Sequence, residues 1–319
     1  MKKILEMFQQ HRLAVFSAMI IMALVGAGSL TSQRVSANHP VLVEGNCDSP
    51  TPGTTSVPQS NMTSGGICGD FDGDGRIGTA EDTDGADRIF GTLAAALGPG
   101  TGAAAGTGAN QNGSITIVAS GRFATSMVIT ADGGTPGGRG TVVVQAAPGV
   151  EATLDAVLQG DPAGGNITRE AQVGVVVNAG PESRVILRNL RIRNFIEGIR
   201  ALGSSNLTVE NCRLENNFFY GIRMLGNSRL GMIGSSVIGT GYRVSASGSC
   251  PSTTCTPVPA HAIAFEESSA GTVAQTHVSG NFGAALVNTS TLGTNAVRYY
   301  ELFDSNNGGG IANAVRVLF

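Results

Sequence analysis

Residues Asp70 to Glu81 read D-F-D-G-D-G-R-I-G-T-A-E, and their spacing is that of a metal loop. Asp70, Asp72 and Asp74 stand at positions 1, 3 and 5. Gly75 at position 6 allows the tight bend that a Cβ would obstruct. Arg76 at position 7 offers its backbone carbonyl, and Ile77 anchors the loop on an apolar neighbour. Glu81 at position 12 can place both carboxylate oxygens on the ion. Hard oxygens at these intervals suit Ca²⁺, which accepts irregular six- to eight-fold oxygen coordination. Asp82, Asp84 and Asp87 follow at once. They read as the charged start of a helix, with a second, poorer cation site as the alternative.

A second set of candidates lies in a repeat. V-I-L-R-N-L-R-I-R-N from Val185 matches L-T-V-E-N-C-R-L-E-N from Leu207 at an offset of 22, and Gly198-Ile199 matches Gly221-Ile222 at an offset of 23. Arg191 then stands over Arg213, and Arg200 over Arg223. Rows of guanidinium groups match carboxylates or sulfates along a polymer, because each can bind bidentately. Arg188 beside Glu210 and Arg193 beside Glu215 read as charge ladders between neighbouring copies, and no cluster of acids is expected to accompany the Arg stacks. His261 and His277 have no Ser or Cys partner in register. Glu266 and Glu267 are adjacent, so on a strand they point to opposite faces and do not act on one bond. Phe195, Phe218 and Tyr220 fall near an Asn turn, where they cap the stack or form a platform for a sugar ring. The chain has five cysteines and no CxxC or Cys/His group at zinc spacing.

These candidates depend on where the chain goes and how it is built. Lys2, Lys3 and Arg12 precede an uncharged apolar run from Leu13 to Leu30, and Val35-Ser36-Ala37 offers small residues for cleavage. Residues 1–37 are read as a secretory signal peptide, with an uncleaved anchor as the alternative. No later segment is long and apolar enough to span a membrane. Signal removal takes away four of the 20 cations and one of the 23 acids, leaving a net −6. An acidic, Lys-free chain is not a basic nucleic-acid binder. Export to an oxidising compartment predicts disulfides. The economical pairs are Cys47–Cys68 and Cys250–Cys255, with Cys212 a buried thiol because it aligns with Leu190.

Residues 38–67 read as a Pro/Ser/Thr-rich linker, and 68–98 as the calcium loop followed by an amphipathic helix at about 84–97. Ile89, Phe90, Leu93 and Leu97 carry its apolar stripe, and Gly98-Pro99 stops it. A Gly-rich linker covers 99–113. From 114 to 319, short Val- and Ile-rich runs alternate with Gly, Asn and Ser turns, and an insertion at about 243–260 carries Cys250 and Cys255. A period near 22 with three short strands per repeat predicts parallel β-helix coils stacked at ~4.8 Å. Ile192, Leu214, Val237 and Val278 form its inner ladder, with a weaker copy near Leu302. Asn189 over Asn211 can pass amide hydrogen bonds up the stack.

Two resemblances sharpen this reading. The loop at Asp70–Glu81 resembles the calcium loops of EF-hands and of dockerins, and only one such loop is visible, which implies calcium as a structural staple. I-F-G-T-L-A-A-A-L, I-T-I-V-A-S-G-R-F and V-V-V-Q-A-A-P-G-V resemble the opening of secreted right-handed β-helix proteins of the pectate-lyase-like superfamily. That resemblance covers roughly 86–319 and implies an all-β solenoid with a short N-terminal capping helix. The Asn-Thr-Asp, Asp-Asp and Gly-His-Gly strings of the polygalacturonase-like members do not occur from 114 onward. The expected protein is a secreted, calcium-stabilised surface, matrix or adhesion protein, without catalysis. The alternatives are a carbohydrate-binding protein, or a lyase or hydrolase of an acidic polysaccharide.

Overall fold

The computed structural model describes residues 41–43, 88–90, 93–97, 113–118, 120–123, 127–131, 140–156, 173–241 and 260–318. Val- and Ile-rich runs with alternating burial form strands, as the half-buried pattern of Gly113–Ile117 illustrates. Among the described residues every strand pairing is parallel and joins one copy of the repeat to the next. Three strands make one turn of the chain, and successive turns stack into three sheets.

The first sheet includes Thr141–Ala146, Arg184–Arg188, Asn206–Glu210 and Arg229–Ile233. The second includes Ala152–Asp155, Leu190–Arg193, Arg213–Glu215 and Ser236–Ile238. The third runs from Met127–Ile129 through Val173–Val177, Glu197–Ala201, Tyr220–Met224, His261–Phe265 and Ala284–Asn288 to Gly309–Ala312. In the last two coils Ala270–Ser279 and Val297–Ser305 pass unbroken from the first sheet into the second. This is a parallel β-helix.

One residue in left-handed conformation turns the chain between sheets. Asn189, Asn211, Gln275 and Glu301 do so between the first and second, and Asn194, Asn216 and Asn306 between the second and third. Asn tolerates positive φ better than other residues with a Cβ. The ladder expected between the Asn189 and Asn211 amides is replaced by a backbone bond, from the Asn189 N–H to the Glu210 carbonyl at 3.1 Å. Side-chain amide bonds between coils lie at the second corner instead, one residue past Asn216. There Asn217 Oδ1 accepts from the Phe195 N–H at 3.1 Å, and its Nδ2 donates to the Ile192 carbonyl at 3.3 Å.

The inner ladder runs Leu154, Ile192, Leu214, Val237 and Val278, all in register and fully buried. Its next member is Asp304, because Leu302 pairs with Thr276 and not with Val278. At the N-terminal end Leu93–Leu97 is helical, and Arg88–Phe90, inside the expected helix, is a strand. The reason is a partner that local periodicity does not reveal: Val41–Val43 lies parallel between Arg88–Phe90 and Gly113–Ile117. Part of the expected 38–67 linker is therefore in the sheet. This helix packs its buried Leu93, Ala96 and Leu97 over the first coils.

Candidate functional site

The Arg stacks are in the predicted register. Arg191 pairs with Arg213 and Arg200 with Arg223. Single carboxylates accompany them, and the expected Arg193–Glu215 ladder is corrected by the geometry. On the second sheet, Glu215 Oε2 accepts from Arg191 Nε at 2.5 Å, and Glu215 Oε1 accepts from Arg213 Nε. One carboxylate, its side chain 7% exposed, thus bridges two stacked guanidinium groups. Arg193 lies level with Glu215, but its guanidinium turns to Asp155 in the preceding coil, at 2.7 Å. Asn194 Nδ2 donates to the other Asp155 oxygen at 2.8 Å. The pair Arg188–Glu210 forms as expected.

The third sheet carries a second cluster, and a backbone irregularity builds it. A Cβ on Gly198 would strike the Gly221 carbonyl at 2.6 Å and Asn217 Nδ2 at 2.8 Å, and the next residue, Ile199, is fully buried. Two successive residues therefore face the interior, which breaks the alternation of a regular strand. Glu197 and Arg200, three apart, consequently share the outer face. Glu197 accepts from Arg200 Nε at 2.6 Å and from its Nη2 at 2.8 Å. The same carboxylate accepts from Arg223 Nη1 at 3.2 Å. Arg223 then grips Glu266 through Nε at 3.1 Å and Nη2 at 2.8 Å. Glu266 is thus a counter-ion, while Glu267 accepts from the Gly226 N–H at 2.6 Å.

Aromatic rings flank this cluster. The Arg223 guanidinium carbon stands 4.8 Å from the Tyr220 ring centre, and His261 lies 6.2 Å beyond Tyr220. Arg223 is held above the usual guanidinium range, first by its bonds to Glu266. Burial raises the Tyr220 hydroxyl, with Glu266 adding to the effect. Burial lowers His261, with Glu266 opposing. The Ala284 N–H donates to His261 Nδ1 at 3.1 Å, an arrangement only the neutral ring accepts. That bond leaves the proton on Nε2, so His261 offers a donor there and no free base. Phe195 is 1% exposed and packs in the core, so it is no sugar platform. His277 Nε2 lies 3.0 Å from Ser279 Oγ.

Cys212 is a buried free thiol at the Leu190 level, as its alignment predicts. Its Sγ is 3.4 Å from the Glu210 carbonyl and 3.5 Å from that of Leu187. Burial pushes the thiol up to about 12, which leaves no thiolate for chemistry at neutral pH. The calcium-loop residues Asp70, Asp72, Asp74, Arg76 and Glu81 lie outside the described residues, as do Cys47, Cys68, Cys250, Cys255 and most of the insertion. Among the described residues no group of three His, Cys, Asp or Glu side chains could hold a metal ion. No described helix is long and apolar enough to cross a membrane.

The sequence reading missed Asp155, Glu215, Glu197 and Glu266 as partners of the Arg stacks. Glu215 was within reach of the offset argument, being two residues beyond Arg213 and on the same strand face. Glu197 was not, because its outward position depends on the irregularity at Gly198.

Comparison with known proteins bears on the fold. A family model described as a right handed beta helix region matches residues 173–314. No curated protein and no solved structure matches the chain. The repeat, the three parallel sheets and this match agree on a right-handed parallel β-helix.

Proposed function

We propose that the protein is a secreted, calcium-stabilised β-helix that works as a non-catalytic surface, matrix or adhesion component. The observation that carries this reading is the pairing of the Arg stacks. Arg191 and Arg213 share Glu215, and Arg200 and Arg223 share Glu197. Ion pairs of this kind tie neighbouring coils together, and a carboxylate already gripped by two guanidinium groups is a poor general acid or base. The signal segment and the Asp70–Glu81 spacing support secretion and calcium. Disulfides Cys47–Cys68 and Cys250–Cys255 belong to the same reading, and non-reducing peptide mapping checks them.

Two measurements test it. Calorimetry on residues 38–319 should show one calcium site that is lost in Asp70→Ala plus Glu81→Ala. Extracellular sites of this type bind at ~10⁻⁴–10⁻³ M, so the titration must reach millimolar calcium. Identical titrations for parent and variant reject the calcium site. Turnover of any acidic polysaccharide in a panel with and without calcium rejects the non-catalytic reading in favour of a lyase or hydrolase.

One observation favours binding of an acidic polysaccharide as a second reading. On the second sheet, among the described residues, the guanidinium groups of Arg191, Arg193 and Arg213 gather around the carboxylates of Glu215 and Asp155, and the Arg213 side chain is 57% exposed. The third-sheet cluster is balanced, with Arg200 and Arg223 against Glu197 and Glu266, which makes it the weaker candidate. Salt-sensitive binding of polygalacturonate or alginate, but not of a neutral glucan, that disappears in Arg191→Ser plus Arg213→Ser would support this reading. Binding unchanged by the double substitution removes it.

A further inference from the structure

The last coil leaves its outer edge unpaired. Among the described residues Gly309–Ala312 pairs only with Ala284–Asn288, and Leu302–Ser305 pairs only with Thr276–Ser279. Val315–Arg316 covers only the Arg298–Tyr299 part of the first sheet. The positions that are fully buried one coil earlier, Val273, Val278 and Leu286, become Tyr299, Asp304 and Ile311, all partly or largely exposed. Phe303 is 62% exposed and Leu318 78% exposed. A cavity of about 520 Å³ opens between them, lined by Tyr299, Leu302, Phe303, Ile311, Arg316 and Leu318. Unpaired strand edges over apolar side chains are a template for another strand layer.

The charges at this edge say which layer fits. In the first sheet the inner ladder passes through Val273 and Tyr299 and ends on Arg316. In the second sheet the inner ladder of Val237 and Val278 ends on Asp304. Both charged residues are exposed. The end of the core therefore carries a cation over one sheet and an anion over the other. A two-fold axis normal to the third sheet, level with the middle of Gly309–Ala312 and just beyond its free edge, relates two such ends. It pairs that strand antiparallel with its copy. It also lays the first sheet of each copy over the second sheet of the other, because the flip exchanges the two remaining sides of the triangle. Arg316 of each copy then faces Asp304 of the other.

We propose that two copies of this chain associate tail to tail through the last coil. The arrangement is isologous, so it closes at two and leaves no free edge to propagate a fibre. An inward acid such as Asp304 is also a way to keep an edge from pairing at all, and the experiment separates the two roles. A coil of about 22 residues at ~3.3 Å each has three sides of roughly 24 Å, and with its outward side chains it presents an end face on the order of 400 Å² per copy. That area lies at the small end for specific association, so a dimer with a dissociation constant of roughly 10–100 µM is expected.

Sedimentation equilibrium of residues 38–319, from about 2 to 500 µM, measures this directly, with melting curves to show that each variant folds. Arg316→Asp and Asp304→Arg should each weaken the dimer at least ~10-fold, by placing like charges face to face. The double variant carrying both changes exchanges the two charges and should return to within ~3-fold of the parent. Glu301 stands at the corner the axis crosses, so Glu301→Gln should tighten the dimer. A parent that stays monomeric throughout overturns the proposal and leaves Asp304 as an edge guard. A dimer indifferent to both single reversals, or one the double variant fails to restore, places the contact elsewhere and overturns it equally.

Discussion

Cys212 shows how one buried side chain is decided by its ladder. The equivalent positions in neighbouring coils are occupied by Leu190 below and by Ser235 above, whose hydroxyl accepts from the Cys212 N–H at 3.1 Å. The position tolerates an apolar or a small polar group, and Cys is both. Burial raises its thiol from about 9 to about 12, so folding favours the protonated form. A group raised on folding stabilises fully below its unfolded value, and that contribution is lost as pH climbs through the folded one. Stability should therefore fall between about pH 9 and pH 12, by at most ~1.4 kcal/mol per pH unit from this group. Urea titrations of the parent and of Cys212→Ala across that range should diverge in slope. Parallel slopes would mean the thiol ionises in the folded chain as easily as in water. Thiol reagents at neutral pH should label the folded protein far more slowly than the unfolded one.

At the scale of one strand, the alternation of a β-strand separates residues that are neighbours in sequence. Leu214 is fully buried, while Arg213 beside it has a side chain 57% exposed. Leu214→Ala should cost ~2–5 kcal/mol. Arg213→Ala loses one solvated ion pair and should cost no more than ~1 kcal/mol. Equal losses in melting would mean the register is wrong. The third sheet adds a stricter case. A Cβ on Gly221 would meet the Ala262 carbonyl at 2.6 Å and also the Val237 side chain. Gly221→Ala must therefore push two coils apart and should cost ~1–3 kcal/mol, although Ala is otherwise better tolerated than Gly in a strand. A neutral or stabilising Gly221→Ala would show that the coils have slack there. The Gly-Ile pairs used to find the repeat are thus explained by packing: Gly198 and Gly221 let the third sheet approach the inner ladder of the second.

Over the whole molecule, each coil touches only its neighbours, so both ends need protection. The N-terminal end has its helix, with Leu93 and Leu97 buried over the first coils. Replacing both by Ser should lower the melting temperature and let proteases trim the chain from that side before the central coils open. Digestion that begins instead in the central coils would deny the helix a capping role. The other end bears Arg316 and Asp304, and its protection is the subject of the association experiment above. Between the ends, among the described residues, ion pairs run along the outside of all three sheets: Arg188 with Glu210 on the first, Asp155 to Glu215 on the second and Glu197 to Glu266 on the third. They bind adjacent coils by local pairs and leave no long row of unmatched Arg.

The sequence by itself determined the repeat, and the repeat determined the stack. An offset of 22 places Ile192 under Leu214, Arg191 under Arg213 and Leu190 under Cys212, because a period of three short strands leaves one register that keeps the apolar faces inward. It also determined that Cys212 is buried. It did not reveal that Arg88–Phe90 is a strand. That strand needs Val41–Val43, a partner some 45 residues away across a polar stretch, and no local pattern reports a contact at that distance. Nor did it reveal the acids that accompany the Arg stacks. Glu197 reaches Arg200 only because Gly198 and Ile199 both turn inward, and Arg193 leaves its level neighbour Glu215 for Asp155 a coil below. Side-chain direction at an irregular strand, and the choice among several counter-ions within reach of a long guanidinium arm, depend on what the neighbouring coils leave open. Those were settled only when the coils were stacked.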